Sequence, residues 1–414
     1  MKSYWLIFAT LIALGFFLRV YNFEKRVIYG PEQGISLATS ASNLSHFSLL
    51  GETNLIRKTS SGHIPFPDAT YSYLLLPFLV LFRFDPLPVT FLFTLLNLLT
   101  GALLALVVKK PLGKETSLLT LFFFMFSAPM IHHSLFTWIV NPVPLLSVLT
   151  MFFGYKLFID RDNWRYPLYL GILSGLGFGM QKMYLVYLVF VFLGSIYFSK
   201  NKVKTMVLFI TGVMLGNLPT IAFDLRHQFY HLKTFTEYFW DIIAGSANGS
   251  TSYYNYLYLY PIFFTSLAFI GAKIFKFSSV VAMGLGLIFL FKNMASPMIN
   301  LDRSTGMVKN ITLDALKIAA ETIAKDKPPE KFNVVTLWDF DTRAYTERYL
   351  LTYMYKLTPS AVENYKDNEV VYALAPLDYD IIKPKVWELQ EFLPYKVSVL
   401  PDFAEGYKLY KLSK

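Results

Sequence analysis

The first residues able to do chemistry stand at YGPEQGIS (29–36) of the 414-residue chain. Pro31 suits the first turn of a helix, where a missing N–H costs nothing. Glu32 then sits in that turn, where the helix dipole favours an anion. A carboxylate so placed at the mouth of a helix is a candidate for chemistry, or it can simply cap its helix. The stretch NLPTIAFDLRHQF (217–229) brings Asp224, Arg226 and His227 together. A guanidinium presents paired donors to phosphate oxygens. Ion-paired to Asp224, or snorkelling, the same Arg226 would be structural. Two further stretches are SSGHIPFPDATYSYLLLPF (60–78), with His63, Asp68, Tyr71 and Tyr73, and HHSLFTWIVNP (132–142), with Trp138 and Asn141. Pro-rich turns leading into apolar helices are common loop punctuation. His63 as a metal ligand lacks a second ligand at diagnostic spacing. Trp138 also suits a membrane-interface belt.

The elements that must position these residues are membrane helices. The chain is 54% hydrophobic, 18% aromatic and only 16% charged, with a mean hydropathy of +0.42. An average soluble domain is about 25% charged. So much apolar surface excludes both disorder and a single soluble core. The absence of Cys excludes disulfides, thiolate metal sites and a Cys nucleophile. The formal charge of +10 resides in residues 1–295, which need no nucleic acid to explain it, because basic loops are retained on the cytoplasmic side.

Apolar runs at 4–20, 86–108, 116–134, 143–159, 166–181, 183–198, 203–223, 253–275 and 277–294 predict nine spans. Segment 69–83 is short and carries Pro77, so it is expected to be half-embedded. The basic loops then alternate consistently to the cytoplasmic side. The first outer loop (21–85), the turn at Lys182 and the C-terminal tail fall on the other side. Lys182 runs against the positive-inside trend there, which makes it a second candidate for a lipid phosphate. Residues 31–44 predict an amphipathic helix lying at the interface, with Glu32 at its mouth.

Residues 296–414 are expected to form a small extracytoplasmic α/β domain beside a transmembrane domain of 1–295. Helices are predicted at 311–326, 342–357 and 383–393, the last with Pro384 near its first turn. Strands are predicted at 332–338 and 369–375, and in YKVSVL and YKLYKL. Asp339 and Asp341 beside Trp338 could form a site, though a strand-end turn is the simpler explanation and the one expected. No Walker A loop, G-x-S-x-G or H-E-x-x-H occurs.

Taken in order, four stretches give the chain a resemblance to the GT-C superfamily of membrane glycosyltransferases. The branch is that of dolichyl-phosphate-mannose–protein mannosyltransferases and the lipid A aminoarabinose transferase. YGPEQGIS resembles that branch's first-loop acid, FPDATYSYLLLPF its H-G-P-L-Y-Y-Y-L-like run, TWIVNP its W-N-P-like turn, and AFDLRHQF its F-E-L-R-H-x-F-like segment. Departures occur where Ile35–Ser36 replaces the family's Arg-Asp and Pro67–Asp68 its His-Gly.

The resemblance implies a multi-pass enzyme of the plasma or inner membrane, with its active face and C-terminal domain outside the cytoplasm. It implies inverting transfer of a sugar from a polyprenyl-phosphate carrier to a hydroxyl acceptor, with Glu32 as base. Arg226 and Lys182 would meet the lipid phosphate. Gln33, His63, Asp68, Tyr71, Tyr73, Trp138, Asn141 and His227 would bind substrate. No cofactor is fixed, and a divalent metal is left open. A lipid-linked sugar flippase or transporter, or an inactive relative serving as a partner subunit, are the rival readings. A transporter would bury charges at mid-membrane and show repeated halves, and the sequence shows few such charges and no convincing repeat.

Overall fold

The computed structural model describes residues 2–52, 58–245, 252–338 and 341–414. Among them, three helices are long and apolar enough to cross a bilayer: α1 (Lys2–Val20), α5 (Pro86–Leu112), and the run Tyr253–Phe277. That run is a 3-10 turn continuing into α14 (Tyr260–Phe277). Between α1 and α5 lie α2 (Phe23–Arg26), α3 (Pro31–Ser42) and α4 (Thr70–Leu81). The twelve residues of α4 reach about 18 Å at 1.5 Å per residue, short of a hydrocarbon core of about 30 Å.

Two runs read as single spans are broken. The 116–134 run is α6 (Lys114–Phe126) and α7 (Ala128–His133), separated by an extended Ser127. Pro129 has no N–H to continue the helical ladder. The 203–223 run is α11 (Lys202–Gly216) and α12 (Leu218–Arg226), bent by 75°. Here Pro219 has no N–H to offer the Leu215 carbonyl, and at the break Asn217 Nδ2 donates to the carbonyls of Gly175 (2.8 Å) and Val213 (3.2 Å), tying α11 to α9. Between these broken runs stand α8 (Val143–Ile159), α9 (Arg165–Met180) and α10 (Tyr184–Phe198). After α12 come α13 (Tyr230–Ile243), α14 and α15 (Ser279–Met294).

Two devices lock the membrane helices. Arg19, fully buried at the end of α1, donates to Asn97 Oδ1 (3.0 Å) and to the carbonyls of Gly15 (2.9 Å) and Met125 (3.0 Å). One side chain thus ties α1 to α5 and α6. The second is backbone contact between α9 and α11. A Cβ at Gly171 would lie 2.2 Å from the Phe209 carbonyl, and one at Gly212 would lie 2.4 Å from that of Leu168. Both helices carry a G-x-x-x-G spacing, 171–175 and 212–216, which lets helices touch without side chains between them.

The C-terminal part holds α16 (Leu313–Lys325), β1 (Phe332–Thr336), α17 (Tyr345–Tyr349), β2 (Val370–Pro376), α18 (Trp387–Gln390), β3 (Lys396–Val399) and β4 (Tyr407–Ser413). The sheet order is β1-β2-β4-β3, with β1 parallel to β2 and the other pairs antiparallel. Alternation divides the strands between two cores. Val334, Tyr372 and Leu374 face the membrane-side cluster; Val335, Val371 and Ala373 pack with Leu389, Phe392 and Leu412 on the far side. The helix expected over 342–357 is shorter, α17 followed by one π-helical turn at Leu350–Met354. The helix expected over 383–393 shrinks to α18, leaving Pro384 outside it.

The helix α3 corrects another expectation. It does not lie on the surface but is wedged between α4 and α17, with polar Gln33, Ser36 and Ser40 buried beside Ile35, Leu37 and Ala41. The contact with α17 is made at Gly34, where a Cβ would sit 2.9 Å from both Thr346 N and the Tyr345 carbonyl. Tyr29 Oη donates to the Thr346 carbonyl (3.3 Å), Tyr349 Oη donates to that of Phe84 (2.9 Å), and Lys317 Nζ pairs with Asp85 (2.7 Å).

Candidate active site

Where the first outer loop meets the C-terminal part, a cavity of about 530 Å³ opens. Glu32 and Gln33 form one wall, Trp138 and Phe136 a second, Tyr253 and Tyr254 a third, and Thr336, Trp338 and Asp341 a fourth. Glu32 is half-buried in the first turn of α3. It is not the cap of that helix: Gly30 holds the N-cap position, and the Gly30 N–H is satisfied by Gln33 Oε1 at 2.9 Å. The Glu32 carboxylate is therefore spared structural duty and faces the cavity, while Gln33 is committed to the turn.

Behind Trp138 lies Glu52, which no spacing in the sequence marks out. Its carboxylate accepts the indole N–H at 2.5 Å. Burial pushes Glu52 up to about 7, and the nearby Glu32 adds to the rise. Tyr71, fully buried, lies close enough to feel the Glu52 charge. The Trp138 ring also meets Tyr254 edge-on at 5.1 Å, and Tyr253 Oη bonds His132 Nδ1 at 2.7 Å. Asn141 shapes the turn that carries Trp138: its amide donates to the carbonyls of His133 and Phe136 and accepts the Trp138 N–H.

A second group sits next to this cavity's far wall. Gln181 donates to the Tyr254 carbonyl at 3.2 Å, and its neighbour Lys182 has a buried ammonium with no hydrogen-bond partner. Burial pulls Lys182 down to about 8, against the opposing pull of Asp68 and Asp224. Both acids are otherwise engaged. Asp68 accepts from Thr70 N (2.6 Å) and Thr220 Oγ1 (2.9 Å). Asp224 accepts from the His231 and Leu232 N–H groups at the start of α13.

The remaining residues go elsewhere. Arg226 and His227 are exposed and line a separate depression of about 520 Å³ with Phe66, Phe223, Gln228 and Tyr230. His63 pairs with Glu237 at 2.9 Å. Tyr73 Oη is bonded to both the N–H and the carbonyl of Ser48. Thus Glu32, Gln33 and Trp138 share one cavity, Lys182 and Asp68 stand together behind it, and Arg226 with His227 does not enter it. Trp338 and Asp341 join the Glu32 cavity, while Asp339 lies outside the described residues. No set of three His, Asp or Glu side chains among the described residues converges to hold a metal.

The family model described as dolichyl-phosphate-mannose-protein mannosyltransferase matches residues 69–222. Among solved structures, the apo form of ArnT from Cupriavidus metallidurans is 10% identical, with 99% of this chain and 98% of that chain covered and a TM-score of 0.52. An oligosaccharyltransferase from Archaeoglobus fulgidus, solved with zinc and sulfate, is 9% identical, with 91% of this chain and 68% of that chain covered and a TM-score of 0.50. No curated protein sequence matches significantly. The resemblance drawn from the four stretches therefore stands: the chain has the fold of the GT-C membrane glycosyltransferases. Its segment 69–222 matches their mannosyltransferase family.

Proposed function

We propose that this protein is an integral membrane glycosyltransferase that moves a sugar from a polyprenyl-phosphate carrier to a hydroxyl acceptor outside the cytoplasm. The observation that carries this reading is the Glu32 carboxylate, free of capping duty and facing an aromatic cavity between the first outer loop and the C-terminal part. In this reading 1–295 is the transmembrane catalytic domain, with nine spans and α4 half-embedded, and 296–414 is the extracytoplasmic domain.

Glu32 takes the proton of the acceptor hydroxyl as its oxygen attacks the anomeric carbon. The C–O bond to the lipid phosphate breaks on the opposite face, and both electrons leave with the phosphate. One displacement inverts the anomeric centre. The departing oxygen gains negative charge and needs a cation in a place shielded from water. Lys182 meets that requirement better than Arg226, because its ammonium is buried and has no hydrogen-bond partner. Arg226, exposed at the end of α12, suits the lipid phosphate on its way in.

Transfer of labelled sugar from a polyprenyl-phosphate donor in purified membranes tests both roles. Glu32→Gln should lower kcat by about 10²–10⁴-fold, and Lys182→Met by about 10²-fold, with both variants folded by size-exclusion. Undiminished turnover in Glu32→Gln removes the proposed base.

A further inference from the structure

The wall of the Glu32 cavity contains two carboxylates, Glu32 and Asp341, and neither a lysine nor an arginine among its described residues. A third carboxyl, Glu52, lies just behind Trp138. Rings (Tyr29, Phe136, Trp138, Tyr253, Tyr254 and Trp338) and threonines at 305, 336 and 346 make up much of the rest, beside His132 and aliphatic side chains such as Ile311 and Leu316. Flat rings beside hydroxyl and carboxylate acceptors match the two surfaces of a sugar, its C–H face and its ring of hydroxyls. An anion held beside Asp341 would meet negative charge with no lysine or arginine among the described lining residues, Lys182 lying behind the far wall, whereas an ammonium would gain from the acids and from the ring faces.

The cavity has two sources of wall. A lipid-tethered donor arrives from the membrane helices, where Lys182 and Arg226 lie. Thr336, Trp338 and Asp341 come instead from the end of β1 and the loop after it, in the C-terminal part. That side faces the acceptor. Resting on the glycosyltransferase reading above, we propose that the acceptor is a saccharide without negative charge, neutral or bearing an amino group, held by Trp338 and Asp341 at the C-terminal wall. Asp341 keeps its place there because its carboxylate also accepts the Tyr345 N–H at 3.0 Å, fixing it relative to α17 and hence to α3 and Glu32.

The test uses the full chain in detergent and measures binding by saturation-transfer NMR and tryptophan fluorescence. The probes are three disaccharides of matched size: amino, N-acetylated and uronate. The expected order is amino tightest, N-acetylated next, and uronate at least tenfold weaker than amino. Asp341→Asn should cut the amino-over-N-acetyl preference about threefold or more, and Trp338→Ala should weaken all three. Should Asp341→Asn misfold, Trp338→Phe, with a smaller ring, provides the second variant and should weaken binding while keeping the charge order. Uronate binding as tight as amino overturns the proposal, as does binding of a basic peptide with no sugar bound. Separate transfer assays with the same acceptors distinguish the two levels. Transfer to an anionic acceptor keeps the enzyme and removes this inference; amino-sugar binding without transfer from any polyprenyl-phosphate donor leaves a saccharide-binding site but removes the enzyme reading and, with it, the acceptor role.

Discussion

A carboxyl that titrates near neutrality beside a proposed base has consequences that can be measured. Burial raises Glu52 from 4.5 to about 7. Between those pH values the folded protein holds a proton that the unfolded chain has released. Stability attributable to this group is complete below pH 4.5 and is lost as pH rises through 7, by at most about 3 kcal/mol. Glu347, also buried and also raised to about 7, acts with the same sign in the C-terminal part. Buried His231, held down to about 4, acts with the opposite sign, so the clean readout is the change in slope: relative to the parent, Tm of Glu52→Gln should rise from pH 5 to pH 8 in detergent melts, and so should that of Glu347→Gln. An unchanged slope in the double variant would place the pH response elsewhere. Sequence showed Glu32 because Pro31 announces a helix start. Glu52 was invisible because LLGET carries no period and its partner, Trp138, is 86 positions away. Arg226 read well as a phosphate ligand by type, but no spacing reveals that α12 turns it into a different depression from that of Glu32.

At the scale of elements, the α9–α11 contact is the least forgiving. Gly212→Leu has no room, since even a Cβ falls 2.4 Å from a carbonyl oxygen. Overpacking of this kind costs about 1–3 kcal/mol where the neighbour can yield, and here the neighbour is backbone. The expected result is little folded protein on fluorescence-detected size exclusion. Gly284→Leu in α15 makes a matched control, because nothing lies within 4 Å of its Cβ, and it should express normally. Apolar run length marked α1, α5 and the run ending in α14, and all four strands lie where expected, β3 and β4 by their alternation. The breaks at Ser127 and Asn217 were missed because hydropathy continues smoothly through them, while Pro129 and Pro219 interrupt only the hydrogen-bond ladder. The helix α3 was misjudged for a related reason. Its weak apolar face looked interfacial, but a partner of 300-odd positions later covers its polar side too.

For the whole molecule, sidedness decides whether the site can work as proposed. The chain contains no cysteine, so single introduced thiols report position without background. Ser45→Cys in the first outer loop and Lys356→Cys in the C-terminal part should react with a membrane-impermeant maleimide in intact cells. Lys114→Cys and Asn163→Cys, in the basic loops, should react only after permeabilisation. The reverse pattern would put Glu32 and Lys182 on the cytoplasmic face and remove the proposed orientation. Hydropathy and charge predict this arrangement because both are summed over many residues. The cavity itself is not a sum of that kind; it exists only because two distant parts of the chain are pressed together.

That pressing also sets an order of events during synthesis. The seat of Glu32's helix is the peptide at Thr346, which Tyr29 reaches across 317 positions. A ribosome adding about 5–20 residues per second needs on the order of 15–60 s to make the second half of the site after the first has left it. Until the residues around Thr346 are made, Glu32 lies on a nascent chain with no opposite wall, so a copy truncated before them would lack the cavity altogether.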